Sequence, residues 1–328
     1  MQKILFIRFS SIGDIVLTTP LLRALKAQKP EVEIHYITKK AYGSVLEHNP
    51  HIDKLILLED KLSKVLPILK REDYDFIIDL HKNLRSMRIK SVLKKPYSSF
   101  DKLNGKKWLL VRFKKNRMPQ VHIVERYFKT LEKIGLKNDD KGLEYYSGLE
   151  QEKNIPGLEE SVQDQYVAIV IGGTYFTKQI PEEKLDEIIN RLSMPVIFLG
   201  GPTDQELAEK LAKKHPLKAF VAAGRSSLNE SAEIIRRSQF VITSDTGLMH
   251  IAAAYQKKIY SIWGNTVPEF GMYPYMPENP QLSIIMELKN LPCRPCSKLG
   301  YNNCPKKHFD CMLKQDFSII DDAFFEAD

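Results

Sequence analysis

Four short stretches of this 328-residue chain carry side chains able to do chemistry, and each follows an apolar run. After residues 3–8 comes Phe9-Ser10-Ser11-Ile12-Gly13-Asp14. This is a carboxylate at the mouth of a loop, beside a glycine that lets another group approach the backbone. Such an acid can take a proton from a hydroxyl, or it can simply cap the helix that follows. After residues 166–171 comes Gly172-Gly173-Thr174-Tyr175-Phe176-Thr177-Lys178, ahead of a helix beginning near Pro181. Two glycines, two threonine hydroxyls and an ammonium can hold phosphate oxygens, or form an ordinary turn. The loop from Gly200 to Glu206 is turn chemistry with an acidic end, suited to a sugar hydroxyl or to starting a helix.

The most informative stretch is Thr243-Ser244-Asp245-Thr246-Gly247-Leu248-Met249-His250-Ile251-Ala252-Ala253-Ala254. A buried strand stops at a polar quartet, and a helix begins with small residues. The N–H groups of Thr246, Gly247 and Leu248 then point out of a helix N-terminus, which is an anion site. Asp245 sits poorly against a bare anion and suits hydroxyls or its own helix amides. His250 follows within the first turns, either facing the same ligand or serving the core. A fifth group is separate: Cys293, Cys296, Cys304 and Cys311, with His308 inside. Its C-x2-C half suits a structural zinc, but its second half lacks such a pair. Bound zinc, reduced packing and disulfides all remain open.

The elements that must position these groups read as two alternating series. Strands are expected at 3–8, 33–38, 54–58 and 76–80. A helix is expected over 14–28, with Pro20 kinking it or restarting it after Thr19. A second series has strands at 166–171, 195–199, 219–222, 240–243 and 258–263, with helices near 181–193, 203–214, 228–237 and 246–255. Continuous apolar runs suit strands buried on both faces, as in parallel sheets. The acidic, glycine-bearing stretch 138–165 reads as a linker. The expected fold class is therefore α/β, with two doubly wound Rossmann-like domains, 1–155 and 156–328, and a cleft between them.

Composition narrows the function. At 43% hydrophobic and 27% charged residues the chain is an ordinary globular protein, which excludes disordered and collagen-like classes. No run of residues is long enough for a membrane span, and four cysteines in this length suit a reducing, cytoplasmic setting. The net charge of +8 is concentrated: 82–117 is +12 and the remainder −4. Such a patch attracts a polyanion, or is a solvated surface. Its aromatics, Tyr97, Phe100, Trp108 and Phe113, are scattered and no nucleic-acid motif appears, which disfavours a nucleic-acid partner. The absence of G-x-G-x-x-G and of a P-loop disfavours a dinucleotide oxidoreductase and a P-loop nucleotidase.

Together these segments resemble glycosyltransferase family 9, the lipopolysaccharide heptosyltransferases. The resemblance is carried by Arg8 to Asp14 with Thr19-Pro20, by Asp79-Leu80 with Arg85-Ser86, by Lys178 with Pro181-Glu182-Glu183, and above all by Ser244 to Ala253. It implies a GT-B fold, with an acceptor on the N-terminal domain and a nucleotide sugar on the C-terminal one. It implies inverting, metal-independent transfer from an ADP-heptose-type donor, with no cofactor. Asp14 would be the general base and Lys178 a catalytic group. Gly173, Thr174, Lys178, Glu206, Asp245, Thr246, Gly247, Leu248 and His250 would bind the donor. One departure is that Gly173 precedes Thr174 where the family often has paired threonines. Ser10, Ser11, Gly13, Arg85, Lys106, Lys107, Lys114 and Lys115 would then hold an anionic glycolipid acceptor of the lipid A and Kdo type at the inner membrane surface. Another nucleotide sugar or acceptor is the nearest alternative.

Overall fold

The computed structural model describes residues 2–152, 154–158 and 165–320. The chain divides into two compact units, Met1–Lys102 with Val121–Gly148, and Leu103–Gln120 with Leu149–Asp328.

The first unit is built on β1 (Lys3–Ile7), β2 (Glu33–Lys39), β3 (Lys54–Leu58), β4 (Phe76–Asp79) and β5 (Tyr97–Ser99), in the order β3-β2-β1-β4-β5. Every pairing is parallel. β1 lies in the middle of the sheet, which is why KILFI is apolar throughout and its last four residues are buried. The connecting helices are α1 (Ile12–Val16), α2 (Thr19–Gln28), α3 (Leu62–Arg71) and α4 (Leu84–Leu93). The expected single helix over 14–28 is two: Pro20 occupies the first turn of α2, and Thr18, one residue earlier than expected, is the N-cap. Proline lacks the N–H that an interior turn needs, so the chain restarts there.

Residues 138–148 are not a loose tether. Leu143 and Tyr145 are buried. Arg23 of α2 pairs with Asp139 at 2.8 Å and Glu144 at 3.3 Å, strapping the segment to the first unit. Residues 153 and 159–164 of the linker expectation lie outside the described residues.

In the second unit come α5 (Asn104–Phe113), β6 (Val167–Val170), α7 (Glu182–Arg191), β7 (Val196–Leu199), α8 (Gln205–Lys214), β8 (Ala219–Val221), α9 (Leu228–Arg237), β9 (Phe240–Ser244), α10 (Gly247–Ala254), β10 (Lys258–Trp263), β11 (Ser283–Glu287) and α11 (Asp310–Leu313); α6 (Ile123–Phe128) belongs to the first unit. The sheet is again parallel, in the order β11-β10-β9-β6-β7-β8. One difference from the sequence expectation is that 103–120 groups with this unit. Leu110 of α5 packs with Val267 and Phe270, and the Lys114 ammonium donates to the carbonyls of Cys293 (3.1 Å) and Pro295 (2.5 Å). No helix among the described residues is long and apolar enough to cross a membrane.

Candidate functional site

In each sheet the first strand has the next strand in sequence on one side and a later one on the other. β1 lies between β2 and β4, and β6 between β7 and β9. The loops leaving the carboxyl ends of β1 and β4, and of β6 and β9, therefore part in opposite directions. Open α/β sheets bind ligands at such points. The β1 loop carries Ser10 to Asp14, and the β6 and β9 loops carry Gly172 to Lys178 and Asp245 to Leu248.

At the first of these points Asp14 is the third residue of α1. One carboxylate oxygen accepts from the N–H and hydroxyl of Ser11, at 3.2 and 3.0 Å, so the acid does cap its helix. Its other oxygen lies 2.6 Å from the Arg8 guanidinium, and 22% of the side chain faces solvent. Arg8 is fixed from three further directions, donating to the carbonyls of Ser10 (2.9 Å) and Leu80 (2.5 Å) and to the Tyr127 hydroxyl (3.1 Å). Burial works against the Asp14 charge, but Arg8 and the Ser11 donors outweigh it and hold the carboxyl below the usual carboxylate range. The acid is thus ionised and oriented, with part of its side chain open to solvent.

His81, just beyond β4, was not singled out from the sequence. It sits edge-on to Phe9, with ring centroids 5.1 Å apart. Burial, reinforced by Arg8 and Lys102, pulls its imidazole down to about 4, so it is neutral at pH 7. Its Nδ1 is buried without a hydrogen-bond partner among the described residues. Arg8 and His81 both depend on the β1 and β4 carboxyl ends being adjacent, which no local spacing reveals.

In the second unit the Lys178 ammonium lies 2.6 Å from an Asp245 carboxylate oxygen and 3.2 Å from the Asp245 carbonyl. Thr266, also unforeseen, donates its hydroxyl to the same carboxylate at 3.0 Å. Thr246 caps α10 by accepting from the Met249 N–H at 3.4 Å. Gly247 and Leu248, half-buried, start this eight-residue helix, where the first N–H groups have no intrahelical acceptor. Asp245 thus serves Lys178 and Thr266, in keeping with its poor fit to a bare anion.

The glycines of the β6 loop have a specific reason. A Cβ on Gly172 would stand 2.4 Å from the Asp204 carboxylate, which itself accepts from the Gly201 N–H at 2.8 Å. Only glycine lets the β6 and β7 loops approach this closely. Gly173 accepts from the Gln179 amide at 3.0 Å, and Thr174 is exposed. Glu206 is exposed in the first turn of α8. His250 is 2% exposed, inside the core face of α10 rather than at its open end. Arg85 is exposed near the start of α4. Lys106 and Lys115 are exposed, Lys107 lies 5.9 Å from the Phe270 ring, and Lys114 is committed to the carbonyls of Val111, Cys293 and Pro295.

Among the described residues, the ligand atoms of Glu33, His35 and Glu72 lie within 4.8 Å of one another. These carboxylates are already neutralised by Lys3 at 3.3 and 3.1 Å and by Lys54 at 2.5 Å. Hydrogen bonding to Lys54, against some burial, pushes Glu72 down to about 2. The group lies at the amino ends of β1, β2 and β3, opposite the Asp14 loop, and is an ion-pair network. All four cysteines are free thiols.

The family profile described as glycosyltransferase family 9 (heptosyltransferase) matches residues 63–303. Lipopolysaccharide heptosyltransferase 1 of Pseudomonas aeruginosa is 24% identical, over 96% of this chain and 92% of its own length. Lipooligosaccharide heptosyltransferase 2 of Haemophilus influenzae is 27% identical, over 82% and 85%. Among solved structures, a family 9 glycosyl transferase of Veillonella parvula superposes with a TM-score of 0.68 at 25% identity, over 84% of each chain. The Escherichia coli heptosyltransferase WaaC with ADP gives 0.67 at 21% identity, over 86% and 92%. The fold class is that of these GT-B structures.

Proposed function

Because this chain belongs to glycosyltransferase family 9, we propose that it moves a heptosyl residue from ADP-heptose to an anionic inner-core glycolipid, inverting the anomeric centre. The observation that carries this reading is the pairing of Lys178 and Asp245 at the β6/β9 switch point, beside the open N-terminus of α10. A nucleoside diphosphate leaving group gains negative charge as the glycosidic bond breaks. Lys178 and the first amides of α10 supply fixed positive charge toward it, the task a divalent ion performs in other transferases. WaaC, solved with ADP, has this fold. The other half of the reaction is removal of the acceptor hydroxyl's proton as the new bond forms. Asp14 is assigned to that step, with Arg8 keeping it ionised. Inversion follows if one displacement links the two.

The donor is tested by thermal shift with ADP-heptose, ADP-glucose, UDP-sugars and GDP-sugars. Selective stabilisation by ADP-heptose is expected. Stabilisation by a UDP- or GDP-sugar alone would transfer the assignment to another donor.

For the acceptor, helix α5 exposes Trp108 (59%) and Phe113 (53%), whose rings meet edge-on at 5.3 Å, beside exposed Lys106, Arg112 and Lys115. Aromatic tips among cations suit the headgroup level of an anionic membrane, where each basic residue contributes about 1 kcal/mol. A Lys106→Ala, Lys115→Ala, Trp108→Ala variant should sediment with anionic vesicles far less than the parent, and the difference should shrink with salt. Equal sedimentation would remove this part of the reading. Peripheral association with the cytoplasmic face of the inner membrane is the matching location.

A further inference from the structure

We propose that Cys293, Cys296, Cys304 and Cys311 form a structural site for one thiophilic divalent metal, zinc or ferrous iron. The four sit around a single small cavity that Thr177, Asn265, Arg294, Lys306 and His308 also line. Cys304 packs on the hydrophobic cluster that contains Cys311, which brings the distal pair to the same place as the C-x2-C pair. All four are free thiols, and thiolates select zinc and iron over harder ions.

Two neighbours fit the surroundings of such an ion. His308 Nδ1 accepts from the Asp310 N–H at 2.9 Å and lies 3.3 Å from the Asp310 carboxylate. Its Nε2 lies 3.8 Å from the Cys293 sulfur, within reach to support that ligand while the four sulfurs hold the metal. Asn265 is 1% exposed, and neither its amide nitrogen nor its oxygen has a hydrogen-bond partner among the described residues. A buried, unpaired amide on this cavity is costly unless something there accepts from it, and a metal-bound thiolate does. A tetrathiolate site carries two negative charges. Arg294 and Lys306 line the cavity, and Lys114 holds the carbonyls of Cys293 and Pro295.

The site would close a segment held otherwise by scattered hydrogen bonds such as those of Lys114 and Arg294. Residues 288–309 contain no helix or strand. Yet this segment supports the donor half of the site: Tyr301 donates its N–H to the Thr177 hydroxyl at 2.8 Å and accepts the Thr177 N–H at 3.1 Å, next to Lys178. Among the described residues no three of the sulfurs are gathered within 4.8 Å. Bonds of about 2.3 Å require sulfurs roughly 3.8 Å apart, so binding draws the side chains together.

The test is elemental analysis of the full chain purified under reducing conditions without chelator, with Cys296→Ser and Cys304→Ser made separately. About one equivalent of zinc or iron per chain is expected in the parent, with the element deciding between the two, and at least a tenfold loss in each variant. Cobalt added to the chelator-stripped parent should give the absorption of a tetrahedral tetrathiolate, and stripping should lower Tm. The inference is overturned if the parent holds under a tenth of an equivalent of any transition metal and added cobalt gives no tetrathiolate spectrum. These readouts do not involve sugar transfer, so they stand or fall apart from the donor assignment.

Discussion

Asp14→Asn should lower the rate of transfer by about 10²–10⁴, the usual contribution of a positioned base, while donor affinity stays unchanged. The substitution removes the charge and leaves one acceptor oxygen, enough for either Arg8 or the Ser11 donors, with the amide NH2 facing the other. Arg8 retains Leu80, Ser10 and Tyr127 as acceptors, so the fold should persist; circular dichroism and Tm serve as the control. The pH dependence has a definite sign. Because the native carboxyl is held below its ordinary range, the stability it contributes is present at neutral pH and is lost only as pH falls through the depressed native value. The base likewise remains ionised down to that value. The acid limb of kcat/KM attributable to Asp14 should therefore lie below about 4, the ordinary aspartate value. A limb near neutrality that persists in Asp14→Asn would assign the base elsewhere. Full activity of the variant would do the same.

Lys178→Met should have the second largest effect, and on both donor binding and rate. On the proposed reading the ammonium has two functions. It offers a charge-assisted hydrogen bond to the diphosphate, worth about 1.5–3 kcal/mol, and it neutralises Asp245 at 2.6 Å. Removing it leaves a carboxylate beside the place proposed for an anion, so the loss should exceed that of one hydrogen bond. We expect ADP-heptose binding weakened by more than about 100-fold, with kcat reduced as well because the charge on the leaving group peaks in the transition state. Lys178→Met with Asp245→Asn should bind ADP better than Lys178→Met alone, since the repulsion is gone. Additive losses in the double variant would show that Asp245 does not face the anion. The comparison is made by isothermal titration with ADP and ADP-heptose.

Much of the framework was legible because it rests on local pattern. Apolar runs such as KILFI and KIYSIW mark strands buried on both faces, and Ser244 to Ala253 announces a strand stop and a helix start within ten residues. Short elements were not legible: β5 is Tyr-Ser-Ser, which has no apolar signal, and it exists only because β4 offers it an edge. The place of α5 was missed for a related reason, since Leu110 meets Val267 and Phe270 across more than a hundred residues of sequence. Asp14 and Lys178 could be named as candidates from loop composition. Their partners could not: Arg8 was visible as a charge but not as the cation that orients Asp14, and His81 and Thr266 arrive through sheet order alone. For His250 the sequence left a ligand contact and a core role both open, and the helix turns it into the core.

The most direct test of the account is transfer itself. Purified protein is incubated with ADP-heptose and a Kdo-bearing lipid A, and the glycolipid is followed by mass spectrometry beside the Asp14→Asn variant. The account predicts a product heavier by one heptosyl residue, with inverted anomeric configuration, formed by the parent and nearly absent with the variant. A product of retained configuration, or one formed equally by both proteins, would contradict it.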